Sequence, residues 1–207
     1  MPTENTTLAA FIDALPKVEL HVHLVGSASV LTVLELARRH PDGPVPVDER
    51  ELRAFYEFRD FPHFAEVYEA VSSLVRTPED VGTLVFGVAR DLAAQNVRYV
   101  ELTVTPYTHQ RAGMPMPAVT EALDHAVREA RDRLGVRVAY IFDIPGEFGA
   151  EGARGTLDHA LRHPRRRSSA SASAASSRCA RRTGTRSATR SPPLAPPGCA
   201  ACRTRGR

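Results

Sequence analysis

The stretch V-E-L-H-V-H-L, residues 18–24, alternates apolar with other side chains as a β-strand does, and Leu15-Pro16 marks a turn before it. A helix is predicted to follow, because Ser27 or Ser29 can cap it and Pro41 and Gly43 can end it. Between these limits apolar side chains recur at helical spacing, at Val30, Val33, Leu34 and Ala37. Together they predict one β/α unit.

The same alternation of strands and helices continues to residue 163. Helices are predicted over 61–75 and 78–95, the second capped by Thr77 with Pro78 at its first position. A strand over 97–104, a helix over 117–134, a strand over 136–144 and a helix over 152–163 follow. This order predicts parallel strands joined by right-handed crossovers, in about three β/α units.

Composition changes abruptly near residue 164. All 24 acidic residues and 16 of the 27 basic residues precede Arg165, so the formal charge is −8 before it and +11 after it. The later segment holds 11 arginines, three cysteines (Cys179, Cys199, Cys202) and the lone leucine Leu194 among small residues. We therefore expect a folded part, 1–164, and a disordered tail, 165–207, that offers almost no apolar area to offset the entropy of ordering.

His21 and His23 are the main candidates for chemistry. They are two residues apart on a predicted strand, so their side chains should leave the same face while Leu20, Val22 and Leu24 take the other. Imidazole nitrogen is a good zinc ligand, and one metal could reach both rings. An isolated H-x-H pattern is also common among histidines that are only hydrogen-bonded.

Several motifs in order resemble the adenosine deaminase family. They are L-P-K-V-E-L-H-V-H-L-V-G-S at 15–27, F-x-x-V-Y-x-A-V at 64–71, R-T-P-E-D-V at 76–81 and V-R-Y-V-E-L-T-V-T-P at 97–106. The resemblance covers about residues 8–163. It implies the N-terminal part of a (β/α)-barrel hydrolase, since a complete eight-unit barrel takes about 250 residues.

The resemblance also implies an activity: a zinc-bound hydroxide attacks C6 of an aminopurine nucleoside and ammonia leaves. In the family two histidines of the first strand bind the metal, which identifies His21 and His23 as ligands. A third histidine, a catalytic glutamate, another histidine and a metal-binding aspartate come later in such proteins, and this sequence has no counterpart of them. We therefore expect no catalytic residue in this chain, and an inactive protein.

The loop after the first strand bears on the substrate. Many family members have an acidic residue that contacts the ribose 5′-hydroxyl where this chain has Val25, and an apolar side chain cannot accept that hydrogen bond. A large apolar 5′ group would suit valine better, as in the branch that deaminates 6-aminodeoxyfutalosine; adenosine and adenine stay open. Gly26 could let substrate approach the backbone, or could serve only as a turn residue.

Polar residues near the other strand ends are weaker candidates. Glu101, Thr103 and Thr105 could face the barrel interior, although a polar layer without substrate contact is the better prediction for them. Asp143 and Glu147 flank Pro145-Gly146 at the end of the third strand, where barrel active sites lie.

Three origins compete for the tail: a basic nucleic-acid-binding arm, a linker, and translation in the wrong frame. A one-base slip favours the third, because 168–175 then permits V-V-G-F-G-L-G-G and twelve residues within 195–207 permit A-A-G-L-R-S-V-P-H-A-G-E, which contains a histidine and glutamate motif of the family. The tail also lacks aromatic residues to stack on bases. The alternative function is a non-catalytic protein whose tail binds nucleic acid or another anion.

Without a long apolar run, the chain is expected to be cytoplasmic with no membrane partner, and its oligomeric state stays open. Its expected partner is a small aminopurine nucleoside.

Overall fold

The computed structural model describes residues 4–144, 146–162 and 170–171. Its helices are α1 (Glu4–Ala14), α2 (Val30–Arg39), α3 (Glu49–Phe55), α4 (Phe61–Ser72), α5 (Pro78–Ala94), α6 (Pro106–Arg111), α7 (Met116–Leu134) and α8 (Gly149–Arg162). Its strands are β1 (Lys17–His23), β2 (Val97–Val104), β3 (Arg137–Asp143) and β4 (Ala170–Ser171), and a 3₁₀ turn covers Gly146–Phe148.

The sheet is parallel throughout, in the order β1-β2-β3-β4. β2 and β3 pair without interruption from Tyr99 opposite Arg137 to Val104 opposite Phe142. Helices occupy each crossover between the first three strands. The described chain is therefore an α/β fold of successive β/α units, as the sequence predicts.

The core lies between the sheet and the helices α2, α5 and α7. Val100 and Leu102 of β2 and Phe142 of β3 are fully buried, and α5 packs against both α2 and α7. The Tyr140 hydroxyl donates to the carbonyl of Leu123 in α7 at 3.1 Å, which satisfies a polar group inside this layer. Gly135 ends α7 with φ of 69°, a conformation that favours glycine.

The predicted strands and helices occur within three residues of their expected ends. The capping prediction at Thr77 is confirmed, because its side chain accepts from the Asp80 amide and Asp80 reciprocates. Helices α1, α3 and α6 were not predicted. They are short or weakly amphipathic, and α3 begins at a local signal, the Asp48 side chain accepting from the amides of Arg50 and Glu51.

The prediction that no residue after about 164 joins the fold is wrong at Ala170 and Ser171. These residues pair with Phe142 and Asp143 of β3. A free strand edge offers backbone donors and acceptors, so it can pair with an extended segment through main-chain hydrogen bonds alone. The remainder of the predicted tail, including Leu194 and the three cysteines, lies outside the described residues. Within the part of the chain that the structure describes, no helix is both long and apolar enough to span a bilayer.

Candidate active site

The carboxyl end of β1 is irregular where the two histidines lie. Glu19 pairs with Val100 and Val22 pairs with Leu102, so two residues of β1 oppose one residue of β2. This β-bulge coincides with a φ of 60° at His21, which is uncommon outside glycine. Such irregularities often re-aim side chains beside functional sites.

Because of the bulge, the predicted alternation of side chains along β1 is wrong at Leu20. Leu20 was expected to share one face with Val22 and Leu24, but 61% of its surface is exposed, whereas Val22 packs against the core and Leu24 is buried. The extra residue shifts the period of two within the strand, so the side chains before and after the bulge do not follow one alternation.

The histidine pair itself is close. The ring centroids of His21 and His23 lie 5.1 Å apart, with the ring planes tilted by 36°, and both side chains are exposed. This arrangement could present two imidazole nitrogens to one cation. Among the described residues, however, no group of three or more histidine, cysteine, aspartate or glutamate side chains is placed to hold a metal ion. The described donor set therefore fits half of a zinc site and does not complete one.

Val25 and Gly26 lie in the loop between β1 and α2, directly after the histidine pair. The Ser27 amide donates to the His23 carbonyl at 3.0 Å and closes the loop into a turn. A β-carbon on Gly26 would lie 3.8 Å from Cβ of His23 and 3.6 Å from the Tyr68 ring, which is ordinary contact. Neither backbone strain nor crowding by protein therefore requires glycine at this position.

A cavity of about 300 Å³ opens beside this loop. Val25 and Gly26 form one side of it, and Tyr56, Phe58 and the α4 residues Phe64 and Tyr68 form much of the other. From the sequence, the F-x-x-V-Y motif of α4 indicated only a family resemblance. Its aromatic residues were missed as site candidates, although four aromatic residues between 55 and 61 were a visible signal.

The polar candidates on β2 and β3 have different surroundings. Glu101 is half-buried and accepts a 3.0 Å hydrogen bond from the Tyr99 hydroxyl. Thr103, opposite His23 in the register, is 5% exposed, and its hydroxyl has no hydrogen-bond partner among the described residues. A buried hydroxyl without a hydrogen-bond partner destabilises the folded state by about 1–3 kcal/mol. Among Glu101, Thr103 and Thr105, Thr103 is therefore the candidate that most needs an explanation.

The remaining candidates lie at strand ends. Thr105 follows β2 as the residue before α6. Asp143 is buried at the end of β3, and its Oδ1 accepts from the Ile144 amide at 2.9 Å. The Glu147 side chain lies outside the described residues.

The sequence of this chain matches that of a known protein family. The sequence model of the adenosine deaminase family matches residues 16–163. The chain belongs to the adenosine deaminase family. It is 50% identical over 150 residues to the aminodeoxyfutalosine deaminase of Streptomyces avermitilis, an alignment that covers 72% of this chain and 42% of that protein.

Two solved structures share the fold of this adenosine deaminase family member. A zinc-bound amidohydrolase from Burkholderia ambifaria matches at TM-score 0.64 and 30% identity, over 74% of this chain and 42% of that one. The adenine deaminase of Arthrobacter aurescens matches at TM-score 0.63 and 26% identity, over 72% and 46%. The chain thus forms part of a (β/α) barrel and spans less than half the length of each of these proteins.

Proposed function

We propose that this chain carries the N-terminal part of a metal-dependent deaminase that acts on an aminopurine nucleoside. The observation that carries the proposal is the close pair of exposed imidazoles, His21 and His23, at the carboxyl end of β1. That end of the strands is where active sites of (β/α) barrels form. Family membership and the zinc-bound structural relative support zinc as the metal.

Each element of this chain has a limited part in the proposed reaction. A bound zinc ion would supply an activated water for hydrolysis of the C–N bond. His21 and His23 would hold the metal from the bulged carboxyl end of β1, and Gly26 would leave room for the substrate beside His23. The described residues offer no further ligand set, so we assign no proton-transfer step to this chain.

The substrate that we propose is 6-aminodeoxyfutalosine. The support is Val25, which cannot accept a hydrogen bond from a ribose hydroxyl, together with 50% identity to an aminodeoxyfutalosine deaminase. Adenine is the competing substrate, because a structural relative is an adenine deaminase at lower identity. The proposal includes a cytoplasmic location.

We further propose that the 207-residue chain is inactive and that its tail arises from a shifted reading frame. An ammonia-release assay with added zinc should compare this chain with the product of a gene whose frame is restored near codon 164. Turnover is expected only from the restored protein, and only while His21 is intact; His21→Ala controls for contaminating deaminase. His21-dependent turnover by the 207-residue chain would contradict the proposal.

The charge of the tail favours a second candidate function, a non-catalytic protein that binds nucleic acid. Residues 165–207 carry 11 arginines and no acidic residue. The coding DNA separates the two candidates. An intact family frame after codon 164 supports the deaminase, whereas arginine codons followed by an in-frame stop, with no family sequence in another frame, support the basic arm.

A further inference from the structure

The hydroxyl of Thr103 is a buried polar group that the fold does not use. Thr103 is 5% exposed, and its Oγ1 has no hydrogen-bond partner among the described residues. Most buried side-chain polar atoms in folded proteins have a partner, so each exception calls for a reason. Valine has nearly the shape of threonine, suits a β-strand and would leave no polar atom unsatisfied. Threonine at this position therefore points to a use of the hydroxyl other than stability.

The register of the sheet places Thr103 beside His23. The two residues are Cα partners in the parallel ladder of β1 and β2, and the Leu24 amide donates to the Thr103 carbonyl at 3.1 Å. The bulge of β1 precedes this point, so the pairing is regular from Val22 to His23. Paired residues of neighbouring strands, about 4.8 Å apart, project from the same face of a sheet. The Thr103 hydroxyl and the His23 imidazole are therefore neighbours on one face.

His23 is also the nearest polar neighbour that the ladder offers to this hydroxyl. On its other side Thr103 pairs with Ile141 of β3, which has no polar side-chain atom. Along the chain, the next residues on the same face are two positions away and so about 6.6 Å distant; they are Glu101 and Thr105. Oε1 of Glu101 already accepts a 3.0 Å hydrogen bond from another side chain. The imidazole of His23 is thus the best-placed partner for the hydroxyl.

A hydroxyl beside a metal-binding imidazole has a defined chemical use. An imidazole binds a metal ion through its unprotonated nitrogen, so the position of the ring proton decides which nitrogen is presented. A hydroxyl oxygen can accept a hydrogen bond from the protonated nitrogen and thereby fix both the tautomer and the orientation of the ring. The His23 side chain is exposed, so a rotation about its χ1 towards Thr103 disrupts no packing in the core.

We infer that Thr103 is a positioning residue: its hydroxyl accepts a hydrogen bond from one ring nitrogen of His23, which presents the other nitrogen to the metal ion shared with His21. The inference rests on the proposed function, because the hydroxyl gains this use only when the histidine pair binds a metal ion. It has a consequence of opposite sign for two properties. The Thr103 hydroxyl lowers the stability of the metal-free chain and raises the affinity of the pair for the metal.

The test is a titration of the 207-residue chain, labelled with ¹⁵N in histidine, with zinc ions. The side-chain nitrogen signals of His21 and His23 report binding at the pair itself, whatever zinc binds elsewhere. Thr103→Val keeps the shape of the side chain and removes the hydroxyl. We expect it to raise the Kd for zinc at the pair by about 10- to 100-fold, as loss of a ligand's hydrogen-bond partner does. In the metal-free chain its Tm should be equal to or above that of the wild type.

The same spectra show which ring nitrogen of His23 binds zinc. We expect one nitrogen in the wild type and a mixture of both in Thr103→Val, a change that a merely structural role of Thr103 would not produce. Thr103→Ser keeps the hydroxyl and should retain most of the affinity. Thr120→Val is the matched control, because it removes another buried threonine hydroxyl, in α7, and should leave the Kd for zinc unchanged.

Two results would overturn the inference and leave the proposed metal site standing. One is zinc binding by Thr103→Val with the Kd and the ring nitrogen of the wild type. The other is an equal loss of affinity in Thr120→Val, which would trace the effect to folding. Histidine signals that zinc leaves unchanged in the wild type would instead contradict the metal site of the proposed function, and the inference with it.

Discussion

Arg39 donates a 2.7 Å hydrogen bond from Nη1 to Oδ1 of Asp80, a carboxylate whose side chain is fully buried. Nε2 of His40 lies 2.8 Å from the other oxygen, which also accepts from the backbone amides of Arg76 and Thr77. These contacts join the end of α2 to the beginning of α5. The R-T-P-E-D motif is thus a structural junction between α2 and α5.

Replacing Asp80 by asparagine should destabilise the fold by about 3 kcal/mol, because it leaves Arg39 and His40 without their anionic partner in a buried site. Urea unfolding followed by circular dichroism measures the effect. Asp42→Asn is the control, because Asp42 pairs with Arg76 at an exposed position and should matter much less. Equal losses of unfolding free energy in the two variants would contradict the role of Asp80 in joining α2 to α5.

The pKa of Asp80 also predicts how the stability of the fold changes in acid. Burial opposes its ionisation, but the hydrogen bonds from His40, Arg39 and the Arg76 amide outweigh this and lower its pKa below the usual 3.8. Its stabilising contribution is therefore present above about pH 3.8 and is lost as pH falls through the lower folded-state pKa. The difference in free energy of unfolding between the wild type and Asp80→Asn should shrink over that range.

Two glycines of α5 should respond oppositely to alanine. A β-carbon on Gly87 would lie 2.6 Å from Cγ2 of Thr32 in α2, whereas on Gly82 its nearest neighbour would be 4.0 Å away. Gly87→Ala should cost about 1–3 kcal/mol by forcing α2 and α5 apart, and Gly82→Ala should stabilise by up to about 1 kcal/mol through helix propensity. Thermal unfolding measures both, and a stabilised Gly87→Ala would be evidence against this close packing.

The pKa of His109 predicts a second pH dependence of the free energy of unfolding, nearer neutrality. The residue is 7% exposed, and burial lowers its pKa from 6.5 to about 4. Between these values the unfolded chain binds a proton that the folded chain does not, so the free energy of unfolding should decrease as pH falls from 6.5 to 4, by at most about 3 kcal/mol. His109→Gln should remove this slope, while His125→Gln, at an exposed position, should keep it.

Val25 should influence substrate choice in the frame-restored protein. Val25→Asp supplies an acceptor for a ribose 5′-hydroxyl and places a charge in the cavity. We expect the ratio of kcat/KM for adenosine to kcat/KM for 6-aminodeoxyfutalosine to rise roughly 10- to 100-fold. Val25→Leu, which keeps the apolar character, is the control; a similar rise in that variant would show that the residue does not act through polarity.

The local chemistry of the sequence was sufficient to predict most of the elements and half of the candidate site. Alternation predicted the strands, and the Thr77 signal predicted the beginning of α5. The H-x-H spacing predicted two adjacent imidazoles, and their rings lie 5.1 Å apart. Their role as metal ligands, and that of Gly26 in substrate binding, stay predictions. Short helices such as α3 and α6 were missed because they lack several turns of apolar repeat.

By itself, the sequence determined the α/β class, the family resemblance and the position of the histidine pair, since these depend on patterns within a few residues of one another. Tertiary structure decided the bulge at His21, the pairing of Ala170 and Ser171 with β3, and the cavity that Tyr56 and Phe64 line together with Val25. Each of these depends on contacts between segments distant along the chain, and no local periodicity encodes which backbone edge or ring will be adjacent after folding.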